Sequence, residues 1–349
     1  MSNSPAFIQS YCTLDEMRQD ADNSQGLPAN VLSRFIRPAS EYILSNIGQF
    51  IPLRDTLYFT GRDSATLFVP PLLRLTGDID NCGVALVQAT VILRSEEMHD
   101  NPAWVYGPFL RIESDKYGAN RFLAYRLNGV GVPGVWGLFE RIESTSAVIS
   151  SIQNLADVIL VVSDGSQLSP GMTLDIEGEM EFVNGYGSAT AAITTLGAIL
   201  DGVSETITVA NGALLNVGEQ IQVDFEKLLI LDIQGNKCFV VRGWNKTLKT
   251  THSSGANVAV FRTFRVDRGI NGYTAAAHNT SAAVSMYTVP ADVNYLAREI
   301  ASLMMRKSAT AFSGRSGNPE SGETFYTHEF PRDVVDRVAA NYYLPNPRQ

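Results

Sequence analysis

Cysteine, histidine and long apolar runs are all scarce in this 349-residue chain, and each scarcity excludes a class of protein. Cys12, Cys82 and Cys238 lie far apart with no C-x-x-C pair, which removes the common zinc and thioredoxin-like spacings and leaves three free thiols. A membrane-spanning helix needs about 18 uninterrupted apolar residues, and none occur together. Basic residues are outnumbered, 27 Lys and Arg against 36 Asp and Glu, for a formal charge of -9. That balance argues against a protein that grips nucleic acid, because phosphates are neutralised by concentrated Lys and Arg. Met1-Ser2-Asn3-Ser4-Pro5 shows no basic segment followed by an apolar one, so no secretory leader is expected and folding in a bacterial cytoplasm is the simplest reading.

Catalytic signatures are missing too. No G-x-S-x-G, H-E-x-x-H or Asp-rich calcium loop is present. Gly129 to Gly137 is glycine-rich, but it lacks the Lys-Ser/Thr of a phosphate loop and has Pro133 where backbone donors would be required. A strand-turn-strand is expected there. The expectation is a protein that is not an enzyme and binds no cofactor or metal.

Hydrophobic residues at 45% and charged residues at 18% describe a globular chain long enough for two or three domains. Thr13-Leu14-Asp15-Glu16 is a capping box, predicting a short helix to about Ala21. Val31, Phe35, Ala39, Tyr42, Ile43 and Ile47 then fall on one helical face, with a kink predicted at Pro38 and an end at Gly48. Short β-like runs follow between about Thr56 and Ile142. Near the end, Val293, Leu296, Ile300, Leu303 and Met304 form an apolar stripe behind Asp292 as N-cap. Gly314 to Gly322 reads as a flexible linker, and a last helix is predicted from Pro331 to Asn341.

The central region holds two internal repeats. At an offset of 47, Gly165 matches Gly212, Leu168 matches Leu215, Gly171 matches Gly218, Leu174 matches Ile221 and Glu179 matches Glu226. At an offset of 26, Arg242-Gly243-Trp244-Asn245 with His252 matches Arg268-Gly269-Ile270-Asn271 with His278. Short strands with regular glycine turns predict a β-sandwich or small barrel. His252 and His278 are candidates for a shared metal, but no acidic partner is evident at fixed spacing, and the structural reading has each histidine bonding loop backbone. Glu179 and Glu226, with Glu177, are candidates for a hydrolytic carboxylate pair. Equivalent repeat positions imply similar environments, whereas an acid/base pair needs dissimilar ones, so a structural or solvent-facing role is expected.

Two helices, a half-exposed sheet, Trp136-Gly137, and a C-terminal helix opening Val289-Pro290-Ala291-Asp292-Val293 together resemble the head-to-tail adaptor (connector) proteins of tailed phages. Arg268-Gly269-Ile270-Asn271-Gly272-Tyr273-Thr274 with His278 resembles turns of β-modules in phage neck and tail proteins. The resemblance implies an α+β fold in which residues 1–143 and 290–312 form a helical adaptor core. Residues 144–289 would be an inserted β-sandwich or barrel-like domain, and 313–349 a linker and docking tail. It further implies a virion protein at the head-tail interface, in a ring of twelve copies, with the portal protein and a neck or tail protein as partners and genomic DNA passing non-specifically through the channel. Phe325, Tyr326, Phe330, Tyr342 and Tyr343 are the candidate portal-docking residues, since large aromatics after a linker suit docking. A receptor-binding, fibre or baseplate-associated tail protein is the alternative.

Overall fold

The computed structural model describes residues 7–20, 30–87, 91–93, 109–112, 121–309, 315–318, 323–326 and 332–342. The capping box forms as read: the Thr13 hydroxyl accepts from Glu16 N at 3.2 Å, the Glu16 carboxylate accepts from Thr13 N at 2.7 Å, and α1 is Leu14–Gln19. The predicted kink is a π-helical turn, Leu32–Ile36, running into α2, Arg37–Asn46. Pro38 has no N–H and its ring crowds the carbonyl four residues back, a conflict that one extra residue per turn relieves.

Contacts divide the chain into two units. The first contains Tyr42–Arg141 with Pro331–Gln349 and Met1–Phe7. Its strands are β1 (Leu53–Phe59), β2 (Thr66–Phe68), β3 (Leu72–Leu75), β4 (Ile79–Asn81), β5 (Val84–Leu86), β6 (Val91–Leu93), β7 (Phe109–Ile112) and β8 (Val130–Trp136). The glycine-rich stretch is one continuous strand, β8, and not the expected strand-turn-strand. It pairs antiparallel with β1, β3 and β4. Its glycines serve packing: a Cβ on Gly134 would lie 2.4 Å from Leu72 Cδ1. Leu72, Ile79, Val130, Val132 and Trp136 form the core of this sheet, while β2, β7 and β6 make a separate three-stranded one.

The second unit, Ile8–Glu41 with Ile142–Phe330, contains two copies of one sheet. The first copy uses β9 (Ile142–Val148), β10 (Ile159–Val161), β11 (Thr173–Ile176) and β12 (Glu179–Tyr186), then resumes with β19 (Thr263–Asp267) and β20 (Ala283–Tyr287). The second lies wholly between: β13 (Thr194–Thr195), β14 (Thr206–Thr208), β15 (Gln220–Val223), β16 (Glu226–Gln234), β17 (Lys237–Val241) and β18 (Asn257–Val260). The strand orders, β10-β19-β12-β11-β20-β9 and β14-β17-β16-β15-β18-β13, are the same. In each copy a bridge joins the outermost strands, Ile149 to Val162 and Leu196 to Val209, closing the sheet into a six-stranded barrel and removing its free edges. The β-bulges also coincide, at Val183/Gly185 and at Ile230/Asp232.

This nesting explains why the sequence shows two offsets. In the second barrel β16 and β17 are joined by a tight turn at Gly235-Asn236. At the same place in the first barrel, between β12 and β19, the chain leaves to build the whole second barrel. Residues before the insertion match their copies 47 later, and residues after it match 26 earlier. Gly165 and Gly212 occupy the same close approach, where a Cβ would lie 2.1 Å from Phe261 O and 2.0 Å from Gly235 O.

The α3 helix, Ala291–Ala309, begins one residue before Asp292, so Asp292 sits in the first turn and accepts from Val293 N, instead of standing outside as N-cap. Val293, Leu296, Ala297, Ile300 and Ala301 are buried. Asn294 Nδ2 donates to Tyr11 O at 3.0 Å and to the Glu16 carboxylate, tying α3 to α1. Both helices belong to the barrel unit: Leu14 N donates to Pro170 O and Asp15 N to Ser169 Oγ. The class is therefore α+β as expected, with strands predominating. The expected helical adaptor core is not what forms: among the described residues strands predominate over helices, and α1 packs on barrel turns. Within 314–322, expected as a linker, β21 (Arg315–Asn318) pairs antiparallel with β22 (Glu323–Tyr326). The last helix, α4, is Arg332–Tyr342 and belongs to the first unit.

Candidate functional site

Each barrel buries one arginine, one glutamate and one histidine in the same arrangement. In the second barrel Arg242 Nε and Nη2 donate to Glu226 Oε1 and Oε2 at 2.6 and 2.7 Å, a bidentate pair. Glu226 also accepts from Gly243 N at 3.0 Å and Thr250 N at 3.1 Å, and lies 2.9 Å from His252 Nε2. The remaining guanidinium hydrogens go to the carbonyls of Asp201, Ser204 and Thr250. The first barrel repeats this group for group: Arg268 on Glu179, Gly269 N and Ala276 N on the same carboxylate, and the carbonyls of Asn154, Asp157 and Ala276 on Arg268. His278 Nε2 lies 2.9 Å from Glu179. The two glycines, Gly243 and Gly269, have positive φ, which turns their N–H groups back onto the carboxylate.

These clusters are clamps. One arginine holds two loops by their carbonyls, and one glutamate holds the turn after the arginine by its N–H groups. Burial raises the Glu226 carboxyl, but the hydrogen bonds from Arg242, His252, Thr250 and Gly243 outweigh it and hold it at about 2. Glu179 is likewise held below the usual carboxylate range, its burial overcome by Arg268, Ala276 N and His278.

Neither histidine bonds loop backbone through its ring, as the sequence had implied. The outer nitrogen of His252 meets Asp224 at 2.7 Å and that of His278 meets Glu177 at 2.8 Å. An acidic partner does recur: Asp224-Phe225-Glu226 and Glu177-Gly178-Glu179 are equivalent, which a single offset conceals because the histidines shift by 26 and the acids by 47. His252 and His278 lie in different barrels, each satisfied by its own acids, and do not share a site. Glu179 and Glu226 are both fully buried rather than solvent-facing.

The barrels differ at one place in this region. Glu181 and Gln153, buried in the first, correspond to Leu228 and Leu200, buried in the second. Glu181 Oε1 lies 2.6 Å from Arg268 Nε but off the N–H direction, so it is in charge contact without a hydrogen bond. Gln153 Nε2 reaches the other oxygen at 3.4 Å, and Gln153 Oε1 has no hydrogen-bond partner among the described residues. Burial, offset only partly by Arg268 and reinforced by Glu179, pushes the Glu181 carboxyl up to about 7. Glu179, Glu181 and His278 converge as a metal ligand set would. The guanidinium of Arg268 already stands against both carboxylates, however, and every Glu179 oxygen is occupied, so the cluster does not suit a cation.

A second difference is on the surface flanking the second clamp. Phe225, Val203, Leu248 and Ile199 are 91%, 83%, 82% and 72% exposed. Their equivalents in the first barrel are Gly178, Ala156, Thr274 and Ile152.

Of the aromatic docking candidates, Phe325 and Tyr326 lie on β22 and Tyr342 ends α4, with its ring edge-on to Phe50 at 4.9 Å between centroids. Phe330 and Tyr343 lie outside the described residues, as do His99 and His328. Among the described residues no helix is long and apolar enough to cross a membrane. No family model, curated protein or solved structure matches the chain.

Proposed function

We propose that the chain is a non-catalytic structural subunit of a tailed-phage virion, a head-to-tail adaptor that works as an assembly part in a ring with the portal on one side and a neck or tail protein on the other. The observation that carries this reading is the duplication of the buried clamp. A catalytic pair diverges in environment, whereas Glu179 and Glu226 are consumed by the same donors in both copies, so neither of these two carboxylates is free to attack or to transfer a proton. Rigid barrels held by such clamps suit a spacer. The apolar side chains around Phe225, gained where the other barrel has Gly178, Ala156 and Thr274, suit a contact with another protein. A tail protein that holds a ligand at the same end is the second reading, favoured by those side chains alone.

The test is the state of the full chain mixed with its portal, seen by electron imaging. Closed rings seated on the portal are expected, and deletion from Phe325 onward should abolish seating. Monomers that leave the portal bare would overturn the adaptor reading, and capture of a surface glycan by those monomers would select the second one.

A further inference from the structure

Glu181 and Gln153 are unnecessary for building this barrel, because the second copy makes the same six strands and the same clamp with Leu228 and Leu200. A carboxylate and an amide in place of two leucines give up apolar burial and require desolvation of polar groups, so the fold alone does not account for them. The surroundings of Glu181 are fully specified. Glu179 precedes it on β12, and Leu174 of β11 is its register partner. Arg268 reaches it from the end of β19, His278 Nε2 lies 4.0 Å away on the loop before β20, and Gln153 faces it from the loop after β9. Beyond these, Glu177 bonds the far side of His278, and Asp157 sits near Arg268. There is one guanidinium for two buried carboxylates, where the second barrel has one for one.

We propose that Glu181 makes the first barrel, and not the second, a proton-dependent clamp on the loop of residues 150–158. With a proton on Glu181 the charge balance is that of the second barrel: Arg268 serves Glu179 alone and holds the carbonyls of Asn154 and Asp157. When the proton leaves, an extra negative charge is buried beside Glu179, and the orphaned Oε1 of Glu181 and Oε1 of Gln153 have no hydrogen-bond donor among the described residues. Water is the remaining donor, and the route to it is to open the loop that carries Gln153. That loop bears Ile152, Leu155 and Val158, all exposed, so its position decides how an apolar edge is presented. Burial places the Glu181 transition at about 7. Because this is above the ordinary carboxylate range, the clamp is at full strength below that range and is lost as pH rises through about 7.

The molecule contains its own control. The amides of Gln153 and His278 exchange hydrogen bonds across the first clamp, and those of Leu200 and His252 do so across the second. Amide hydrogen exchange of the full chain, corrected for intrinsic rates, should show the opening of the Gln153–His278 pair rising roughly 30-fold between about pH 5.5 and about pH 8, if the open loop returns Glu181 to ordinary acidity. The Leu200–His252 pair should not change, and Glu181→Leu should remove the response of the first pair. Equal opening of the Gln153–His278 pair at the two pH values, or a parallel rise in both pairs, overturns the proposal. If Glu181→Leu does not fold, Glu181→Gln and the wild-type comparison of the two pairs decide it.

Discussion

The two barrels are the same machine built under different constraints. The second is continuous in sequence and closes β16 onto β17 with a tight turn, whereas the first is interrupted at that turn and must find its second half after the whole of the other barrel has been made. Its Glu179–Arg268 pair spans 89 residues where Glu226–Arg242 spans 16. Yet the donors, acceptors and bulges coincide, which shows that the clamp, and not chain continuity, defines the module. The joint between the copies has its own pair, the buried Glu219 with the partly exposed Arg262, and Glu219 also accepts from Gly165 N across the seam.

The largest expected effect breaks the likeness at its centre. Arg242→Ala leaves Glu226 buried without its guanidinium, held only by Gly243 N, Thr250 N and His252, and should cost about 3–5 kcal/mol, read as a lowered denaturation midpoint confined to the second barrel. Next, Leu228→Glu transplants the extra carboxylate of the first barrel. It should destabilise the second by about 3 kcal/mol at neutral pH, with the loss recovered on acidification, which a pH series of thermal midpoints measures. Gly212→Ala forces a Cβ against Gly235 O and should cost about 1–3 kcal/mol, and Gly165→Ala the same against Phe261 O. Unequal costs would show that the two turns are not equivalent. Smallest is Asn245→Ala, which removes the acceptor for Arg18 Nη2 and should cost about 1 kcal/mol, visible as faster exchange in α1. Its counterpart Asn271 holds Ile8 by N and O, so the same N-terminal segment is pinned once by each barrel.

Local features were legible in the sequence where a local rule governs them. Thr13 and Glu16 specify a cap within one turn, and Pro38 announces its own irregularity. Glycine at 165, 171, 212 and 218 marked the turns, and the matching register marked the duplication. What escaped was non-local. The partnership of Glu179 with Arg268 depends on where the chain re-enters a barrel after the insertion, and no window-based pattern contains that. The signal was nevertheless present as two offsets of opposite sign, +47 for the acids and -26 for the Arg and His, which only a copy nested inside its sibling produces. β8 was misread because its glycines and Pro133 resemble turn residues, while they are set by the close approach of Tyr58 and Leu72. Glu181 was invisible as a special residue until its equivalent, Leu228, was identified.

Excision tests the nested architecture most directly: replace residues 188–261 with a Gly-Asn turn copied from Gly235-Asn236 and follow unfolding of the shortened chain, alongside the excised piece by itself. The account predicts that β12 rejoins β19 and that each product melts cooperatively with its own Arg–Glu clamp intact. Two products that are both unfolded would contradict it, because the barrels would then be halves of one structure and not complete copies.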